Sequence, residues 1–343
     1  MQTLSPVSRF LLMLAAFIIV VAGMRAAESL LVPFLLSVFI AILVTPLLSW
    51  LRSRGLPNVG AILLIIVLIM FFGGIIGVIF SSSVSSFREE LPSYQERLLM
   101  FSDGLRQKLV AIGVEIEPSQ WREIFNPSQA LTMAGNTLAS FGSLMTDSLL
   151  ILLTVTFILA EEVNFIDKLK YANHQGDKAL SAMKNFTQSV NKYMAIKTLI
   201  SLTTGLLVMG CLMVIGVDYA VLWGLLTFLL NFIPTLGSIL AAIPPVLLAI
   251  IQLGIGEALA TALVYLSINI IVGSIVEPRL MGRGLNLSSL VVFLSLVFWG
   301  WVLGPVGMLL SVPLTITVKI ALECFEETHW IGVMLGDTGR PNE

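Results

Sequence analysis

The sequence predicts an all-α polytopic membrane protein, and three observations carry that prediction. The chain of 343 residues is 57% hydrophobic and only 12% charged, with a mean hydropathy of +0.97; a soluble domain is nearer one quarter charged. Its apolar residues gather in runs of bilayer length, separated by short charged segments. Two of those runs are too long for one crossing and are broken by Pro and Gly. Together they give about six full spans and two Pro/Gly-broken helical hairpins, about eight hydrophobic segments in all, with one helical extramembrane segment.

The elements follow in order. Residues 10–24 form an apolar run behind Arg9, and a second run covers 30–51 after the brief interruption at Arg25 and Glu28. A helical hairpin turning near 25–29 fits better than a cleaved leader. Pro33 is placed in the first turn of the second helix, where a missing N–H costs little, and Pro46 is expected to kink it. Gly55 to Asn58 makes a turn, and a third span over 59–80 ends in the serine cluster 81–86. Residues 1–82 thus read as the N-terminal membrane helices.

Residues 83–140 read as an extracytoplasmic helical segment. Val84, Phe87, Leu91, Tyr94, Leu98, Phe101, Leu105, Leu109 and Ile112 recur at three-four spacing, an amphipathic stripe. It packs either on its own chain or, in coiled-coil fashion, between subunits. A fourth span lies within 141–162. The region 163–197 carries six lysines, the last of them Lys197, and reads as a cytoplasmic or interfacial amphipathic helix whose lysines contact lipid headgroups. The C-terminal membrane core covers 198–322, and 323–343 is a cytoplasmic tail.

Inside that core lie the two broken runs. Residues 219–253 are interrupted by Pro234, Gly237, Pro244 and Pro245, and residues 290–318 by Gly304, Pro305 and Pro313. An unbroken span over 257–276 separates them. If Arg9 is cytoplasmic, the positive-inside rule puts Arg52, Arg54 and the lysines of 163–197 on the same side. Arg279 and Arg283 join them only if each broken run dips in and returns, so re-entrant hairpins and cytoplasmic termini are expected.

Discontinuous helices leave backbone donors and carbonyls free near mid-bilayer, where a solute can use them. The expected pathway residues are Asn231, Pro234, Thr235, Gly237 and Ser238 at the first break, Asn269 on the span over 257–276 facing the same cavity, and Gly304 and Pro305 at the second break. Glu277, Pro278, Arg279 and Arg283 form a charged turn, read either as a structural Glu277–Arg pair that holds the turn or as a cytoplasmic gate or ion site. Snorkelling to the interface is the simpler account of those charges, and plain kinking is the simpler account of the prolines.

Other function classes are disfavoured. A net charge of −2 leaves no nucleic-acid footprint. Cys211 and Cys324 lie in apolar runs, and His174 and His329 stand far apart, so neither a disulfide framework nor a metal is expected. No paired nucleophile and base and no phosphate-binding loop appears; no enzyme activity and no cofactor is expected.

The motif Leu230-Asn231-Phe232-Ile233-Pro234-Thr235-Leu236-Gly237-Ser238, followed by Ile243-Pro244-Pro245, resembles the autoinducer-2 exporter family of bacterial membrane proteins. So do Glu277-Pro278-Arg279-Leu280-Met281-Gly282-Arg283-Gly284-Leu285 and the stretch from Trp299-Gly300-Trp301 through Gly304-Pro305 to Pro313. The likeness runs over essentially the whole chain. It implies a multi-pass inner-membrane homo-oligomer, a pentamer among the possible orders, exporting the quorum-sensing signal autoinducer-2 or a similar small polar solute. Other members of the family resemble Na⁺(Li⁺)/H⁺ antiporters, which makes antiport at Glu277 the second expectation. A non-transporting membrane scaffold built on 83–140 is the third.

Overall fold

The computed structural model describes residues 6–111, 113, 147–172, 177–234, 236–281, 287–323 and 327–336. All regular structure among them is helical: α1 Pro6–Ala26, α2 Glu28–Ser53, α3 Asn58–Ala111, α4 Ser148–Ala172, α5 Asp177–Ile215, α6 Ala220–Leu230, α7 Leu236–Gln252, α8 Ile255–Ile268, a π-helical segment Asn269–Val276, α9 Glu277–Met281, α10 Ser289–Glu323 and α11 His329–Met334. The helices sort into two compact units.

The first unit comprises 1–65, 147–192 and 285–343. Helices α1 and α2 meet at the single residue Ala27, and backbone bonds bridge it: Ala27 N–H to Gly23 O at 3.0 Å and Leu31 N–H to Ala27 O at 2.9 Å. The turn expected near 25–29 is a bend at the single residue Ala27. Because α2 begins at Glu28, Pro33 falls in its second turn rather than its first. The buried Ser37 hydroxyl donates to Pro33 O at 2.7 Å and lies 3.3 Å from Ile151 O of α4, which ties the two helices.

Helix α10 doubles back on itself. Leu303 and Gly304 leave helical geometry, Gly304 with φ +61° and ψ −152°, a region essentially closed to any residue with a Cβ. The Trp299 indole donates to Thr315 Oγ1 at 3.0 Å, although sixteen residues of straight helix would rise about 24 Å. The second broken run is thus a helical hairpin, with Val21, Val302 and Leu303 around Trp299 in its core. Pro313 lies inside the returning arm and does not break it.

The second unit comprises 66–146 and 193–284. Helix α3 continues through the serine cluster without interruption, so no helix boundary marks residue 82. Its amphipathic stripe is borne out where side chains are described: Phe87 and Tyr94 are buried, while Arg88, Glu89 and Glu90 face outward. Phe87 stacks edge-on against Trp223 of α6 at 5.5 Å and against Tyr219 at 6.1 Å. Over these turns the stripe packs on its own chain; Leu98, Phe101, Leu105 and Ile112 lie outside the described side chains.

Helices α6 and α7 form the first hairpin. At its open end the Asp218 N–H donates to Gln252 Oε1 at 3.2 Å, across 34 residues. At its tip the chain turns so tightly that a Cβ on Gly237 would lie 1.8 Å from Leu230 O. A short turn, with Leu236 N–H on Pro234 O at 2.6 Å, starts α7. The expected span over 257–276 is unbroken, lying within one helical stretch from Ile255 to Leu280, but its register changes along the way. From Asn269 to Val276 the backbone adopts the wider π register, and Glu277 N–H bonds Val272 O five residues back.

Candidate functional site

The site is built in the second unit by four elements. Along α5, Lys197, Ser201, Thr204 and Val208 are all buried and fall on one face, three to four residues apart as one helical stripe requires. Opposite it, α8, the π segment and the start of α9 carry Thr261, Tyr265, Asn269, Gly273 and Glu277, each four residues from the last. The tip of the α6–α7 hairpin fits between these faces. It leaves a small cavity lined by Thr204, Thr227, Asn231, Ser238, Tyr265 and Asn269, with Val208, Ile268, Val272 and Gly273 completing the wall.

The polar lining is knitted by direct bonds. Asn231 Nδ2 donates to Ser201 Oγ at 3.0 Å. Ser238 Oγ donates to Asn269 Oδ1 at 2.9 Å, so the first residue of the π segment is held by the first turn of α7. Tyr265 and Thr227 share a hydrogen bond at 3.0 Å, and Thr227 also donates to Trp223 O. The buried Thr261 hydroxyl, one turn beyond Tyr265, has no hydrogen-bond partner among the described residues. The cavity wall carries amides and hydroxyls and no ionised side chain. Its free space is about 10 Å³, room for about one water molecule and far below the ~300–1,000 Å³ of most ligand pockets, so this conformation is closed around the site.

One turn beyond Gly273 stands an ion pair. Lys197 Nζ lies 2.5 Å from Glu277 Oε1, with the lysine side chain 4% and the glutamate side chain 20% exposed. This revises two sequence expectations. Lys197 does not reach for headgroups, and Glu277 pairs with a residue eighty positions away rather than with Arg279. The reason is helical geometry: Arg279 follows Glu277 by two positions on a continuing helix, and such neighbours do not face each other. Arg279 and Pro278 are exposed on α9.

Of the expected pathway residues, Asn231, Ser238 and Asn269 come together at the cavity, and Pro234 and Gly237 shape the turn that presents them. Gly304 and Pro305 belong to the hairpin of the first unit and do not line this cavity. Thr235 and Arg283 lie outside the described residues. Sequence reasoning missed Ser201, Thr204, Thr227 and Tyr265. The available signal was four-residue spacing of polar groups within otherwise apolar spans.

A family model described as "AI-2E family transporter" matches residues 11–327. The chain belongs to the AI-2E family of transporters. It is 39% identical over 332 residues to "AI-2 transport protein TqsA" of Escherichia coli K12, covering 97% of this chain and 96% of that protein. It is also 39% identical to a "Putative transport protein" of Haemophilus influenzae, covering 98% and 99%, and 33% identical to "Putative transport protein YhhT" of E. coli K12, covering 96% and 95%. As a member of this family the chain is a multi-pass membrane transporter and not an enzyme. Five of its helical stretches are long and apolar enough to cross a bilayer among the described residues, and no group of His, Cys, Asp and Glu suited to a metal ion occurs among them.

Proposed function

We propose that this AI-2E family member exports autoinducer-2, or a similarly small hydroxyl-rich solute, from the bacterial cytoplasm across the inner membrane. The observation that carries this reading is the cavity lined by Asn231, Ser238, Asn269, Thr204, Thr227 and Tyr265 without an ionised side chain. Amide and hydroxyl groups both donate and accept, which matches the alternating donors and acceptors of a neutral furanone-like polyol. A transport protein for AI-2 stands among its relatives. The α6 arm of the hairpin is about 16 Å long at 1.5 Å per residue, short of the ~30 Å hydrocarbon core, which supports a re-entrant element rather than a full crossing. Pathway roles are assigned to Asn231, Ser238 and Asn269. The protein acts as a homo-oligomer with both termini in the cytoplasm.

The test is flux in reconstituted liposomes loaded with autoinducer-2. The purified chain releases it faster than protein-free vesicles, and Asn231→Ala slows release about tenfold. No release above background, alongside an active control transporter, contradicts the assignment.

Na⁺(Li⁺)/H⁺ antiport at Glu277 is the second reading, and the short bond to Lys197 weighs against it, because the carboxylate already has a cation. Under antiport, Glu277→Gln abolishes sodium-driven proton movement in the same vesicles and leaves solute release intact.

A further inference from the structure

The two ends of the π segment are fastened to different helices. Asn269 at its start accepts the Ser238 hydroxyl of α7, and Glu277 just past its end is paired with Lys197 of α5. Helix α5 and the α8–π–α9 rod run antiparallel: Thr204 and Val208 line the cavity with Tyr265 and Asn269, while Lys197 meets Glu277. The ion pair therefore stands at one end of the cavity, one turn beyond Gly273. The other end is bounded by the neutral Thr227–Tyr265 pair. A charged pair with its lysine almost wholly buried is costly to assemble and more costly to leave half-made, and inside a membrane protein such groups mark moving or conducting parts. Runs of π helix are rare and often functional.

We propose that Lys197 and Glu277 form a charge lock that closes the solute cavity on the α9 side, tied through the π segment to the Ser238–Asn269 bond. The lock rests on reading the cavity as the solute route. An α-helix turns about 100° per residue, and a π register turns less. Relaxing 269–276 to α geometry therefore swings Glu277 about the helix axis relative to Asn269, so both fastenings cannot survive it. A hydroxylated solute that takes the place of the Ser238 hydroxyl on Asn269 frees one end, and the strain of the other then falls on the ion pair. Lys197 and Glu277 are positioning residues here: they move the wall and do not touch the solute.

The test reads access without needing transport. In the full chain with Cys211 and Cys324 changed to serine, Thr204→Cys places one thiol in the cavity wall, and a charged methanethiosulfonate reagent is applied to membrane vesicles open to the α9 side. Labelling is slow in this background. Lys197→Met or Glu277→Gln speeds it at least tenfold, the exchange K197E/E277K or the conservative Lys197→Arg returns it towards the slow rate, and Ser238→Ala speeds it to a smaller degree. Equal rates in all variants overturn the lock, as does failure of both restoring variants to label more slowly than the single neutral ones. An unchanged rate in Ser238→Ala overturns the tie to the π segment. Because labelling proceeds without solute, a chain that moves no autoinducer-2 defeats the transport reading and leaves this result standing.

Discussion

Lys197 and Glu277, eighty residues apart in the sequence, meet at 2.5 Å with the lysine side chain only 4% exposed. Their unequal burial sets an asymmetry. Removing the glutamate strands a buried ammonium, whereas removing the lysine leaves a carboxylate with partial access to water. Breaking a buried pair from one side costs about 3–5 kcal/mol, and the exposed partner escapes part of that. Glu277→Gln is expected to lower the melting temperature in detergent more than Lys197→Met. The double neutral variant K197M/E277Q is expected to lose less than the sum of the two.

The tip of the first hairpin gives a steric prediction. A Cβ on Gly237 would sit 1.8 Å from Leu230 O, a separation no relaxation of a side chain can relieve. Gly237→Ala is expected to abolish folded protein, read as loss of the monodisperse peak in size-exclusion chromatography. Gly210, on α5 with open space around it, is the control. Gly210→Ala gains about 0.5–1 kcal/mol of helix propensity and raises the melting temperature slightly.

Gly304 tests the second hairpin. With φ +61° and ψ −152°, an alanine there carries backbone strain of about 1–3 kcal/mol, and its Cβ would lie 3.1 Å from Glu28 Oε1. Gly304→Ala is expected to lower the melting temperature by several degrees. Pro313→Ala, in a helical arm that already accommodates the ring, is expected to leave it unchanged or raise it.

Tyr265→Phe removes one hydroxyl from the cavity and leaves Thr227 bonded to Trp223 O. A lost neutral hydrogen bond of this kind costs about 1 kcal/mol, so stability should hardly change. Solute release is expected to fall severalfold, with the larger effect on solutes richer in hydroxyls. An equal drop in stability and release would assign Tyr265 a purely structural part.

The hairpins were legible in the sequence because Pro234, Gly237, Gly304 and Pro305 interrupt apolar runs longer than one crossing, and hydrocarbon tolerates such interruptions only for a reason. The gathering of Asn231, Ser238 and Asn269 was legible on the same ground. Lys197 was hidden because its sequence neighbours are five other lysines of a surface-like stretch. Its burial shows only when it is counted as the first member of the 197–201–204–208 stripe. The π segment leaves no mark in residue types, since Asn269-Ile270-Ile271-Val272-Gly273 suits an α register equally well. A slip of register is decided by what holds each end, and both partners are distant in sequence.

The account stands most directly on whether a solute occupies the space between α5, the first hairpin and the α8 face. The measurement is the rate at which Thr204→Cys is modified in vesicles, with and without saturating autoinducer-2. Occupancy predicts that the solute slows modification at least fivefold and that Asn269→Ala removes this protection. Identical rates with and without solute, in vesicles that still release it, would place the route elsewhere in the protein.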